Sequence, residues 1–230
     1  MSQPSLTTSV EDYFVEKFTS LIDESIEQSP FFQAWCNENV DAAAATRFLA
    51  TFDALVRSFP GLIACGAARA TEPDTRTVLA VNLYQECGEG NLKRTHHAIF
   101  RKFLATANVD PATAPAQTFT DDWREGLSNY IGGVASPLSA LGALAAGEFL
   151  AQPVLSRIFA VIEPMYPEAD IEYFTTHLEL ETEHVREVAE LLGRQVKVGS
   201  SVQEVEEGFR FGLKTWVNYF DCLSDYVFTA

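Results

Sequence analysis

The residues of this chain that could do chemistry are few and clustered. It has four histidines, His96, His97, His177 and His184, and none precedes position 96. The segment His177-Leu-Glu-Leu-Glu181-Thr-Glu-His184 sets His, Glu and His at i, i+4 and i+7. A helix turns about 100° per residue, so these three fall within roughly 60° of one another. Phe174, Leu178 and Val185 sit beside that stripe and turn it inward, whereas Glu179 and Glu183 fall on other faces and are read as solvated. Three unpaired polar groups on an inward stripe would cost several kcal/mol in desolvation. A metal ion removes that cost, because neutral imidazole and carboxylate are natural ligands for iron or manganese.

Two other places offer inward polar groups. Glu148 ends the run Leu138-Ser-Ala-Leu-Gly-Ala-Leu-Ala-Ala-Gly147, which is almost wholly apolar or small. A carboxylate there is driven towards its neutral form unless something positive faces it. The third place is Asn82-Leu-Tyr-Gln-Glu86 followed by His96-His-Ala-Ile-Phe100. Glu86 and His96 are ten apart, which is no same-face spacing on an unbroken helix. The Gly88-Glu89-Gly90-Asn91 interruption allows a kink or short loop to re-aim one of them. Glu89, seven before His96, is the rival carboxylate. His97 points about 100° away from His96 and is read as a supporting or surface group.

These residues need helices to carry them, and helical periodicity runs through nearly the whole chain. Ser9 to Gln28 places Val10, Phe14, Phe18, Leu21 and Ile22 on one face, with Ser9 as a capping residue. Asp41 to Phe59 is a further helix that Pro60 is expected to stop. Gly61 to Ala70, Asp74 to Cys87, Leu92 to Ala107, Asp121 to Ile131, Leu138 to Glu163, Asp170 to Leu192 and Val202 to Phe228 follow. With no repeat and no biased linker, the expectation is an all-α fold, a single helical domain spanning residues 1–230.

Composition excludes several function classes. Lys+Arg is 16 against 32 Asp+Glu, a formal charge of −16, which repels phosphate backbones and speaks against a nucleic-acid partner. The four cysteines, Cys36, Cys65, Cys87 and Cys222, show no CxxC spacing, so a reduced, cytoplasmic setting is expected. The N-terminal residues lack the basic and apolar regions of a signal peptide. Leu127 to Gly147 carries no charge, but Gly132, Gly133 and Pro137 mark it as a loop entering a buried helix, not a membrane span.

The order Asn82-Leu-x-x-Glu86, His96-x-x-Ile99-Phe100, Glu148 in a small-residue helix, then His177-x3-Glu181-x2-His184 resembles the haem-oxygenase-like diiron oxidases and oxygenases. These iron-containing redox enzymes are related in fold to the thiaminase-like proteins and the quinone-biosynthesis oxidase. The segment Trp216-Val-Asn-Tyr-Phe220-Asp-Cys-Leu also looks like the family's last helix. Carried over residue by residue, the resemblance implies a metal set of Glu86, His96, Glu148, His177, Glu181 and His184, with no catalytic residue beyond them. The family usually has Asp where this chain has Glu181; the longer side chain reaches further and alters bridging geometry.

The resemblance further implies a haem-oxygenase-like bundle of about seven core helices, two Fe(II) ions (Mn being the other metal the ligands suit), O2 as oxidant, a small-molecule substrate and a homodimer. The implied activity is non-haem diiron oxidation or oxygenation of a small organic acid, amino acid or fatty acid in a buried pocket. It also implies that the helix bearing the first Glu is held loosely until metal binds, and the glycine-rich break gives a physical reason, since each helical Gly costs about 1 kcal/mol. Two alternatives stand beside it: a cofactor-free oxidase or hydrolase of the same fold, and a non-catalytic regulatory or interaction protein. A haem-degrading enzyme is set aside because no His precedes His96.

Overall fold

The computed structural model describes residues 9–37, 40–115, 118–196 and 200–229, without the side chains of 118, 180–183 and 200. Nine α-helices and no strand occur among them: α1 (Val10–Gln28), α2 (Pro30–Asn37), α3 (Ala42–Arg69), α4 (Pro73–Glu86), α5 (His96–Thr106), α6 (Thr118–Asn129), α7 (Pro137–Ile162), α8 (Glu172–Gln195) and α9 (Ser200–Thr229). Caps set several of the starts: Ser9, Asp41, Thr95 and Ser136 each accept an amide of the following turn.

The bundle is built around α7, which is apolar on nearly every face and buries an unbroken run from Ser139 to Leu150. It packs most extensively on α9 and then on α8. A side chain at Gly208 of α9 would collide with the backbone carbonyl of Ser139, so glycine there is what lets the two backbones approach. Phe18 of α1 stacks on Phe209 of α9, and Phe31 and Trp35 of α2 join Phe48 of α3 and Phe220 of α9 in one aromatic cluster. Helices α3 and α7 (the latter running on to Met165) are long and apolar enough to cross a membrane by length and composition, but most of each is buried inside the bundle.

Two expectations are corrected and one helix is added. Pro60 does not stop α3, which runs through it to Arg69. Proline in a helix interior costs about 3 kcal/mol. Leu55, Val56, Leu62 and Ile63 on either side of it are all buried, and each is worth about 1.5–3 kcal/mol, so packing wins. The short helix α2 has no counterpart in the periodicity reading; its eight residues bury Phe31, Phe32 and Trp35. Helix α5 begins at His96, not Leu92, because the turn that follows α4 is longer than expected.

Candidate metal centre

Helix α8 presents the His177 face to the interior. The His177 Nδ1 lies 2.7 Å from the carbonyl oxygen of Tyr173, one turn earlier. A carbonyl can only accept, so Nδ1 carries the proton and Nε2 is left with a free lone pair. Burial, then the neighbouring His96, pushes the His177 imidazole down to about 4, so the ring is neutral at pH 7. Glu181 falls among the side chains outside the described residues.

The break between α4 and α5 brings a second pair to this ring. Glu86 is the last residue of α4 and is buried; His96 is the first residue of α5 and is buried too. Between them Gly88, Glu89 and Gly90 all adopt positive φ, at 69°, 55° and 84°. A Cβ at Gly88 would run into the backbone of Arg94 and Thr95, so the turn is folded back tightly on itself. His96 Nδ1 ends 2.9 Å from Glu86 Oε1. Yet this nitrogen is buried and has no hydrogen-bond partner, so the two groups meet without the alignment of a hydrogen bond. Ligand atoms of Glu86, His96 and His177 all lie within 4.8 Å of one another, and the two imidazole rings meet edge-on at 4.5 Å. Glu89, the rival carboxylate, is exposed.

Glu148 enters from α7. Asn82 of α4 donates from Nδ2 to its Oε1 at 2.9 Å, and His184 Nδ1 lies 3.8 Å from its Oε2. Burial pushes this carboxyl up to about 7, Asn82 opposes the shift and the nearby Glu86 adds to it. Glu86, His96, Glu148, His177 and His184 all line one cavity of ≈ 70 Å³. The rest of its wall is mostly apolar: Phe52, Leu55, Val56 and Phe59 of α3, Leu150, Val154 and Leu155 of α7, Trp216 and Phe220 of α9, with Tyr173 of α8 beside His177. No Lys or Arg lines it among the described residues.

The donor set fits a divalent cation. Two donors on one ion approach each other to about 3 Å with nothing between them, given metal–ligand bonds of about 2.1 Å, which is the relation of His96 Nδ1 to Glu86. Imidazole nitrogens with carboxylate oxygens suit iron and manganese. An empty centre would instead leave an orphaned buried nitrogen and an under-compensated buried carboxyl.

Sequence reasoning missed two supports. Tyr173 is one helical turn before His177, a spacing that could have been noticed. Asp53 of α3, only 6% exposed, lies 3.0 Å from His97 Nε2 and 3.4 Å from Arg101 Nη1. A lone carboxylate in an apolar run, the signal that marks Glu148, was there to be noticed, but its partners are more than forty residues away.

Comparison with known proteins agrees with this architecture. The sequence pattern of one family, described as iron-containing redox enzyme, matches residues 46–217. Among curated proteins none matches the sequence significantly. A CADD-like protein of unknown function from Nostoc punctiforme superposes with a TM-score of 0.81 at 16% identity, covering 95% of this chain and 99% of its own. A domain of unknown function with a heme oxygenase-like fold from Shewanella denitrificans superposes with a TM-score of 0.74 at 15% identity, covering 96% and 93%. The all-α fold is of the haem-oxygenase-like type.

Proposed function

The chain belongs to the iron-containing redox enzyme family, and from that premise we propose that it is a non-haem diiron oxidase or oxygenase using O2. The ligands in this reading are Glu86, His96, Glu148, His177, Glu181 and His184. The observation that carries it is the buried His96 Nδ1, 2.9 Å from Glu86 Oε1 without a hydrogen bond and facing the same space as His177. Iron bound there supplies the one-electron chemistry by which O2 becomes a usable oxidant; manganese is the other metal these ligands suit.

The chain's own residues hold the donors ready. The Tyr173 carbonyl keeps His177 in the tautomer that leaves Nε2 bare. Asn82 fixes one oxygen of Glu148 and leaves the other for His184 or an ion. Helix α3 and the α9 residues Trp216 and Phe220 give the cavity a mostly apolar wall.

The same wall argues for the substrate class. A second charged group pushed among Phe59, Leu150, Val154 and Trp216 would find no countercharge, at a cost of several kcal/mol. The substrate of this reading is a small molecule with one polar head at the ligand cluster and an apolar body along α3 and α9, such as a short fatty acid. An acid with a second charge at its far end, such as a dicarboxylate or an ω-amino acid, fits less well. A homodimer belongs to the same proposal.

The test is oxygen consumption by the Fe(II)-loaded protein across matched pairs of apolar acids and their ω-charged analogues. Apolar acids are expected to accelerate uptake and the ω-charged analogues to do so at least about tenfold less. Equal stimulation by both would overturn the substrate class, and no stimulated uptake by any organic compound would overturn the oxidase.

A further inference from the structure

We infer that Asp53 is a positioning residue for the metal centre, fixing the roll of α5 and thereby the aim of His96; this rests on the metal reading above. His96 is the first residue of α5, at the end of a helix where fraying is greatest. Thr95 Oγ1 caps the turn by accepting from the Ala98 amide at 3.0 Å, which fixes where the helix starts. A cap does not fix rotation about the helix axis.

His97 does. It points about 100° from His96 around the same turn, and its Nε2 meets Asp53 Oδ1 at 3.0 Å. One turn further, Arg101 reaches Asp53 Oδ2 at 3.4 Å. The two bonds lie on one stripe of α5 and end on one carboxylate of α3. Beside them Phe52 of α3 meets Phe100 of α5 edge-on at 5.6 Å. Phe52 also walls the metal cavity, so the wall and the ligand helix are registered by adjacent residues of α3.

Asp53 is otherwise hard to account for. A carboxylate 6% exposed in an apolar helix is costly to bury. Burial pushes its carboxyl up, but His97 and Arg101 outweigh that and hold it below its ordinary value, so it stays ionised. An apolar side chain would pack α3 on α5 as well. What the carboxylate adds is direction: two donors at fixed positions on α5 accept only one rotation of that helix.

The test uses Co(II) as a spectroscopic stand-in, with binding followed by calorimetry and by the d–d absorption bands, and with helix content and Tm measured in parallel. Asp53→Ala is expected to weaken Co(II) about 10–100-fold and to change the band shape. Asp53→Asn, which keeps an acceptor for His97, is expected to recover most of the loss. Should Asp53→Ala fail to fold, His97→Phe carries the same expectation from the more exposed side. An unaltered affinity and spectrum in a folded Asp53→Ala or His97→Phe chain, whatever happens to Tm, would reduce the pair to a structural contact and overturn the inference alone. A wild-type chain that binds no Co(II) would overturn the metal reading and this inference with it.

Discussion

Glu86 and Glu148 face one cavity from helices held in opposite ways. Helix α7 buries an unbroken run around Glu148, while α4 fully buries only Thr75, Leu79 and Glu86 itself. Val81 and Tyr84 on α4 are 51% and 55% exposed. Glu148 is therefore placed by packing, whereas the pairing of Glu86 with His96 is made by a backbone turn. Asn82, on the thinly packed helix, bonds the carboxylate of the deeply packed one and ties the two together. The comparison teaches that one half of the proposed centre is built by the core, while the other has little packing of its own and is expected to tighten when metal binds. Amide exchange in α4 is accordingly expected to slow on metal binding far more than in α7.

The sharpest way to break this contrast is to remove donors from the soft half. Glu86→Ala and His96→Ala are expected to weaken Fe(II) or Co(II) more than about 100-fold, beyond the loss typical of a supporting residue, with helix content by circular dichroism unchanged. Metal binding at wild-type strength in either variant would remove that pair from the site.

The rigid half is tested by pH in the metal-free protein. Glu148 moves from 4.5 to about 7 on folding, so the native state favours its protonated form. Its contribution is fully present below pH 4.5 and is lost as pH rises through 7, by up to about 3 kcal/mol. His177 moves from 6.5 to about 4, so its contribution is present above 6.5 and is lost as pH falls through 4. The two slopes oppose each other between 4.5 and 6.5. Denaturant unfolding of Glu148→Gln should remove the loss towards pH 7 and leave the loss towards pH 4; an unchanged pH profile would contradict this.

The turn itself comes next. Gly88→Ala puts a Cβ on a residue with φ of 69° against the backbone of Arg94 and Thr95. The left-handed conformation alone costs about 1–2 kcal/mol. The expected result is a lower Tm together with weaker metal binding, read in the same titration. The smallest effect belongs to Glu89→Gln: the side chain is exposed, and affinity within about twofold of wild type is expected, against a large loss were it the ligand.

Much of the site was legible in sequence because its parts are local. The His177/His184 stripe follows from helix period alone, and Glu148 stands out against the small apolar residues around it. That Glu86 and His96 meet could be foreseen only as a possibility: the break permitted it, but the sequence left Glu86 and Glu89 open, and three successive positive φ angles fold the chain back so that His96 meets Glu86 while Glu89 stays exposed. Pro60 misled because its local penalty is smaller than the burial on either side of it. Helix α2 was invisible because eight residues are too few to show a period. Asp53 also stands among apolar residues, but its role could not be read there, since its partners lie on another helix.

The most direct measurement of the central claim is anaerobic titration of the apo-protein with Fe(II), counting bound ions per chain and reading their environment by Mössbauer spectroscopy. About two ions per chain in a nitrogen- and oxygen-ligated environment are predicted. A fully helical chain that binds no iron would contradict it.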